Sequence, residues 1–213
     1  MFSEIYDVAV KTAMGIDLDE KAAAVSVFLI TWNNVWYTVN PQGKEASKDL
    51  EKHFSDLKKA ISSTVTKIAL FTGKDLMDVD LNDENVEFTI KACFDTFESV
   101  CGSTGASKAL HILNPNLFIM WDRKIREAYG VEDDSNGYLK FLHKVKSILE
   151  NVIQEYAYDN DLSMDKARET LRQKLGFSLI KALDEYNYLK YTEKESLPSI
   201  HGEAFAHLKT LPP

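Results

Sequence analysis

Two side chains near the middle of the chain, Lys108 and Asp122, are of types that can carry chemistry together. Lys108 lies on a short predicted helix, about residues 106–113, where a partly buried amine can lose its proton and act as a nucleophile. Asp122 begins the next predicted helix, where a carboxylate could stabilise a developing cation or activate water. Two simpler interpretations stay open: Lys108 is an exposed helical lysine, and Asp122 is a helix N-cap.

The junction that precedes the short helix has the composition of an anion site. Gly102 and Gly105 flank Ser103 and Thr104 between two helical segments. Backbone N–H groups at the start of a helix favour an anion, and glycine allows positive φ and the close approach of a phosphate. The sequence therefore predicts that a phosphate group contacts Gly102, Ser103, Thr104, Gly105 and Ser107.

The short helix has two faces of different character. The face predicted to pack inward consists of Ala106, Ala109, Leu110 and Leu113. The opposite face, predicted to lie away from that core, consists of Thr104, Ser107, Lys108 and His111. The candidates for contact with a base or with a nucleic-acid backbone are His111 on this face and, elsewhere in the chain, Trp32, Trp36, Phe118, Trp121, Arg123 and Arg126. Aromatic residues at helical spacing are also typical of a core, so that alternative stays open for the tryptophans.

The pattern of apolar residues is helical over nearly the whole chain. Apolar side chains recur at every third or fourth position in several segments, among them residues 50–68, 86–100 and 139–152. An apolar, aromatic helix is also predicted over residues 20–39, and the best extended segment, Leu117 to Met120, is short. We therefore predict an all-α fold of about eight to ten helices.

The 213 residues suit one all-α domain, 1–213, which could divide into two lobes. The loops 74–83 and 130–137 are the candidate boundaries. They would separate a mid-chain lobe, about residues 75–135, from a second lobe made of the N- and C-terminal helices. A chain of this length can bury roughly 70% of its unfolded surface, so a core of this size needs no covalent or metal staple.

Composition excludes several classes of protein. The hydrophobic fraction of 45% and the charged fraction of 27% are ordinary globular values, which excludes a disordered or fibrous chain. Cys93 and Cys101 are too few for a disulfide scaffold or a four-cysteine metal site. The five histidines show no metal-ligand spacing, and no nucleotide-binding glycine motif occurs. We therefore expect no metal and no cofactor.

The net charge of −8 argues against a general nucleic-acid coat. The charge is uneven, however, and residues 101–130 carry an excess of two positive charges. The N-terminal residues lack the basic region of a signal peptide, and the best apolar run, residues 22–30, is less than half of the roughly twenty residues that a membrane helix needs. We therefore expect a cytoplasmic protein with reduced thiols and no membrane partner.

Two segments carry a resemblance to a known family: Gly-Ala-Ser-Lys-Ala-Leu at residues 105–110 and Met-Trp-Asp-Arg-Lys-Ile at residues 120–125. Together they resemble the helix–hairpin–helix DNA glycosylase superfamily, in the branch that contains the 8-oxoguanine glycosylases. The likeness covers about 30 residues. It implies a two-lobed helical fold with a hairpin at residues 102–107 that holds a DNA phosphate. It also implies a Schiff-base role for Lys108 and the conserved aspartate role for Asp122.

The function implied by the resemblance is the excision of a damaged base from double-stranded DNA. The target nucleotide would be rotated out of the duplex, Asp122 would stabilise the sugar cation, and Lys108 would attack C1′ and permit a lyase step. Two alternatives stay open. One is a helical module of the same fold that binds nucleic acid or protein without chemistry, and the other is an interaction protein in which Asp122 is only a cap.

Overall fold

The computed structural model describes residues 4–15, 17–197, 199–202 and 205. Within these residues the chain forms ten α-helices and no β-strand, which confirms the predicted all-α class. The helices are α1 (Glu4–Ala13), α2 (Leu18–Trp32), α3 (Asn34–Val39), α4 (Pro41–Lys48), α5 (Leu50–Ala69), α6 (Glu84–Leu113), α7 (Arg123–Tyr129), α8 (Ser135–Asp159), α9 (Met164–Leu175) and α10 (Leu179–Asn187). A 3₁₀ turn, Leu76–Asp78, precedes α6, and a π-helical turn, Tyr188–Thr192, follows α10.

Side-chain caps determine where most of the helices begin. Eight N-cap residues accept a hydrogen bond from a backbone N–H of the first turn: Asp17, Asn40, Asp49, Asp83, Asp122, Asp134, Ser163 and Ser178. Each such cap stabilises its helix by about 1 kcal/mol. Gly130 and Gly176 end α7 and α9 in the left-handed conformation.

The aromatic helix predicted over residues 20–39 is interrupted. Asn33 has φ −125° and ψ 27°, so α2 ends at Trp32 and α3 begins at Asn34. The Asn33 side chain is buried and its amide donates to the Cys101 carbonyl over 3.4 Å. The prediction of one continuous helix was therefore wrong: the helix is interrupted at a buried asparagine whose side chain donates to a distant segment.

Helix α6 is bent at Gly102, where φ is 71° and ψ is 167°. This single non-helical residue separates residues 84–101 from the second half of the helix, which carries Lys108. The predicted boundary is thus present, but it consists of one residue and does not form an open hairpin loop. The helix–hairpin–helix element and the two lobes remain predictions.

The second half of α6 leads through an extended segment, residues 117–121, to the start of α7. Trp121 in this segment packs with its ring centroid 5.6 Å from Phe94 of α6 and 5.0 Å from Tyr138 of α8. Leu117 to Ile119 are fully buried. The core therefore fixes the segment that delivers Asp122 to α7. In the described part of the chain, no helix is long and apolar enough to cross a membrane.

Candidate functional site

Asp122 caps α7 and holds a second hydrogen bond at its other oxygen. Its Oδ1 accepts from the Ile125 N–H over 2.9 Å, which is the N-cap bond expected from the sequence. Its Oδ2 accepts from the Thr192 hydroxyl over 2.5 Å. The residue is half-buried, so the carboxylate lies at an edge of the molecule with both oxygens oriented.

Lys108 extends from the second half of α6 toward the end of α2. Its ammonium group donates to the backbone carbonyl of Trp32. Burial lowers the pKa of Lys108 to about 8, and the charges of Asp122 and Asp184 act in the opposite direction. A substantial fraction of this amine is therefore neutral near pH 8. The neutral amine donates to the Trp32 carbonyl through one of its N–H bonds, so its lone pair stays available for nucleophilic attack.

Lys108 and Asp122 share an electrostatic neighbourhood, because the charge of the Asp122 carboxylate favours the charged form of the lysine, but the two side chains form neither an ion pair nor a hydrogen bond with each other. Two residues that the sequence did not single out complete this neighbourhood: Thr192, which binds Asp122, and Asp184, which also acts on Lys108. Asp184 lies within a stretch of α10 that is almost wholly buried. The one sequence signal that could have indicated Asp184 as a site residue is its position as a carboxylate within this stretch.

Asp184 also anchors the extended segment that leads to Asp122. Its Oδ1 accepts from the Met120 N–H over 3.2 Å, and its Oδ2 lies 3.3 Å from the Lys181 ammonium. Both side chains are nearly inaccessible, with 4% exposure for Asp184 and 7% for Lys181. The pair therefore satisfies a buried backbone group and neutralises two buried charges together.

His111 was predicted as a base or DNA contact, but it is fully buried. Its Nδ1 donates to the Phe118 carbonyl over 2.7 Å, which leaves Nε2, 2.8 Å from the Tyr6 hydroxyl, as the acceptor. Burial lowers the pKa of His111, in keeping with a neutral ring. Because α1 covers this face of α6, His111 holds the extended segment and has no route to DNA.

Ser107 is likewise fully buried, which corrects its prediction as a phosphate ligand. Its hydroxyl lies 3.2 Å from the Trp121 N–H and 3.3 Å from the Trp121 carbonyl. Trp121 itself is 1% exposed, and its indole N–H donates to the Ser103 carbonyl over 3.2 Å. Trp121 and the fully buried Phe118 are therefore core residues and cannot stack on a base in this conformation.

The predicted phosphate site is largely covered by the α2–α3 junction. Gly105 is buried, and a Cβ at this position would lie 2.8 Å from the Cys101 sulfur. A Cβ at Gly102 would lie 2.7 Å from the Trp36 indole nitrogen. Gly102, Ser103 and Thr104 are half-buried, so they alone of the five predicted phosphate ligands keep some exposure.

The basic residues after Asp122 differ in exposure. Arg126 is 8% exposed and lies over the Trp121 ring, and its guanidinium also bonds to Asp133 over 2.7 Å and to Thr104 over 3.3 Å. The prediction of Arg126 as a DNA contact was therefore wrong, because the core ring and two oxygens already engage it. Arg123 is exposed, with Glu127 at 3.8 Å, and stays available as a surface cation.

Trp32 and Trp36 are both half-buried, but they lie in different parts of the structure. The Trp32 ring packs edge-on against Phe28 at 4.3 Å, and its carbonyl binds Lys108. Trp36 lines a groove of about 830 Å³ between α4, α5 and α6 that also includes His53. This groove does not include Lys108 or Asp122, so the sequence-predicted pair and this cavity are separate features of the surface.

The cysteines and the other possible metal ligands offer no further chemistry. Cys93 and Cys101 are both buried free thiols, and burial raises the pKa of Cys93 to about 11. Such thiols are poor nucleophiles at neutral pH. Among the residues that the structure describes, no three His, Cys, Asp or Glu side chains are grouped as metal ligands.

Comparison with known proteins adds no relative: no protein-family model, no curated protein and no solved structure matches this chain.

Proposed function

We propose that the protein is a lysine-dependent DNA glycosylase with associated lyase activity, and that Lys108 and Asp122 form its active site. The observation that carries this proposal is the largely buried Lys108 amine, which is held on the Trp32 carbonyl near a carboxylate at a helix start and whose pKa burial lowers to about 8. The resemblance of residues 105–110 and 120–125 to helix–hairpin–helix glycosylases supports it.

In the proposed reaction a nucleotide is extruded from the duplex and its sugar lies between the two groups. The bond between C1′ and the base breaks, the electron pair leaves with the base, and the base takes up a proton. Asp122 stabilises the positive charge that develops on the sugar. The neutral Lys108 amine forms a bond to C1′, and the proton that its nitrogen then loses passes through solvent to the departing base. The bond between C1′ and the ring oxygen O4′ then breaks, O4′ takes up a proton from water, and a protonated imine between Lys108 and C1′ results.

Borohydride trapping tests the proposal. The protein is incubated with duplexes that contain an abasic site or an oxidised base, and borohydride reduces any imine to a stable adduct. We expect an adduct with the wild-type protein and none with Lys108→Gln. Lys140→Gln is the matched control, because this exposed lysine pairs only with Glu132 on the surface and should leave the adduct unchanged.

Asp122→Asn separates the catalytic role from the capping role. Asparagine is as good an N-cap as aspartate, so the melting temperature should stay within a few degrees. We expect base release to fall at least about a hundredfold, because the amide cannot stabilise a cation as a carboxylate does. Absence of both base release and adduct in the wild-type protein, with DNA binding intact, would contradict the proposed enzyme.

A second function, a helical module that binds nucleic acid or protein without chemistry, is favoured by one observation. Every oxygen of Asp122 and the amine of Lys108 already have partners within the protein. Such contacts are also what a purely structural pair would make. Binding to DNA without turnover would identify this module, and absence of DNA binding even at low salt would leave a protein-interaction role.

A further inference from the structure

The π-helical turn Tyr188–Thr192 places a hydroxyl group on the candidate carboxylate. Thr192 donates to Asp122 Oδ2 over 2.5 Å, although the two residues are 70 positions apart. The other carboxylate oxygen accepts from the Ile125 N–H. The carboxylate is therefore held at both ends by donors from two different elements, and its rotation about the side-chain bond is restricted.

The turn is itself attached to the start of α7. The Lys124 ammonium donates to the Thr192 carbonyl over 2.7 Å. The Tyr191 ring lies edge-on to Tyr129 of α7, with ring centroids 6.0 Å apart. A π-helical turn is rare and occurs frequently at functional sites. These contacts hold the turn against α7 and so keep the Thr192 hydroxyl within hydrogen-bond distance of Asp122.

We infer that Thr192 is a positioning residue, whose hydroxyl group fixes the orientation of the Asp122 carboxylate for stabilisation of the sugar cation. The inference rests on the function proposed above and deepens it. A carboxylate that accepts hydrogen bonds on both oxygens presents a fixed negative charge. That arrangement suits electrostatic stabilisation of a cation better than removal of a proton from water.

Two substitutions at Thr192 test this role. Thr192→Val keeps the shape and removes the hydroxyl, and Thr192→Ser keeps the hydroxyl. We expect Thr192→Val to lower kcat for base release about ten- to a hundredfold with KM unchanged, since misorientation of a catalytic group has effects of this size. Thr192→Ser should stay within about threefold of the wild type. Thr170→Val is the control, because Thr170 is a half-buried threonine of α9 whose hydroxyl donates to the Lys166 carbonyl of its own helix.

A second measurement separates this inference from the proposed function. Trapping of Lys108 on a preformed abasic site needs no cation stabilisation, so Thr192→Val should leave it unchanged. A wild-type rate of base release in Thr192→Val would overturn the inference and leave the proposed function standing. Equal losses in Thr192→Val and Thr192→Ser would also overturn it, because they would indicate a structural role. A wild-type protein without base release and without adduct would overturn both.

Discussion

Lys108 has an environment that differs from that of a surface lysine. The amine is largely buried, and its partners are one backbone carbonyl and two carboxylates that act from a distance. Burial dominates over the two carboxylates and lowers the pKa to about 8. A lysine with these properties is a functional candidate on physical grounds, since desolvation is one of the ways in which a lysine amine becomes a nucleophile.

The protonation of Lys108 predicts a pH dependence. The neutral amine is the reactive form, so the rate of borohydride-trapped adduct formation should rise as the pH increases from 6 through about 8 and then level. The rate is measured with a preformed abasic site at constant ionic strength. A rate that keeps rising to pH 10, as an ordinary exposed lysine would give, would contradict the assigned environment.

At the scale of secondary-structure elements, the kink of α6 decides where Lys108 lies. Gly102 has φ 71° and ψ 167°, a combination that is essentially restricted to glycine. The Trp36 indole packs against the same residue, so no side chain fits there. The kink redirects the second half of α6, and the α2–α3 junction packs on it through Asn33. One glycine thus sets the relative placement of Lys108 and the Trp32 carbonyl.

Gly102→Ala is therefore expected to lower the free energy of unfolding by about 2 kcal/mol or more, because backbone strain and the contact with Trp36 add together. Gly73→Ala is the matched control. Gly73 also has positive φ, 77°, but a Cβ there meets no atom within 4 Å, so only the strain of about 1 kcal/mol remains. Urea unfolding followed by circular dichroism measures both. Equal losses for the two variants would contradict the close approach of Trp36.

The whole molecule is acidic, and its charge is unevenly distributed along the chain. Residues 75–99 carry a net charge of −7, whereas residues 101–130 carry an excess of two positive charges. Of the basic residues in the second region, Lys108 and Arg126 are engaged within the protein. Lys124 is exposed, although its ammonium donates to the Thr192 carbonyl, and Arg123 is exposed beside Glu127. A DNA backbone that reaches Asp122 would meet few cations.

Few cations predict a weak dependence of DNA affinity on salt. The slope of log K against log salt should lie near −2, because each neutralised phosphate contributes about −0.9. Arg123→Gln should reduce the magnitude of this slope by about 1, and Lys59→Gln, an exposed lysine on α5, should leave it unchanged. Fluorescence anisotropy over a salt series measures the slope. An unchanged slope in Arg123→Gln would place the DNA elsewhere on the surface.

Several features followed from local rules that need no knowledge of the tertiary structure. The spacing of apolar residues predicts the helical class, and the position of Asp122 before a helical segment predicts its role as an N-cap. These predictions succeeded because a cap or a helical period involves residues within a few positions of each other.

Two of the predictions that failed concern which face of a helix is covered. Ser107 and His111 have polar side chains and share a helical face with Lys108, so the sequence placed them away from the core. The structure buries both, because Tyr6 and the carbonyls of Phe118 and Trp121 satisfy their polar atoms. A polar residue can be buried wherever such a partner exists, and the partner lies far away in the sequence.

The sequence by itself therefore determined the helical class and the nature of Asp122 as a cap. Only the tertiary structure decided that Lys108 is buried beside the Trp32 carbonyl, that Asp184 and Thr192 join the two candidate residues, and that the predicted phosphate site is covered. The physical reason is the separation along the chain of the residues that each interaction involves. Helix formation and capping depend on neighbours along the chain, whereas burial, desolvation and paired hydrogen bonds depend on segments that meet only after folding.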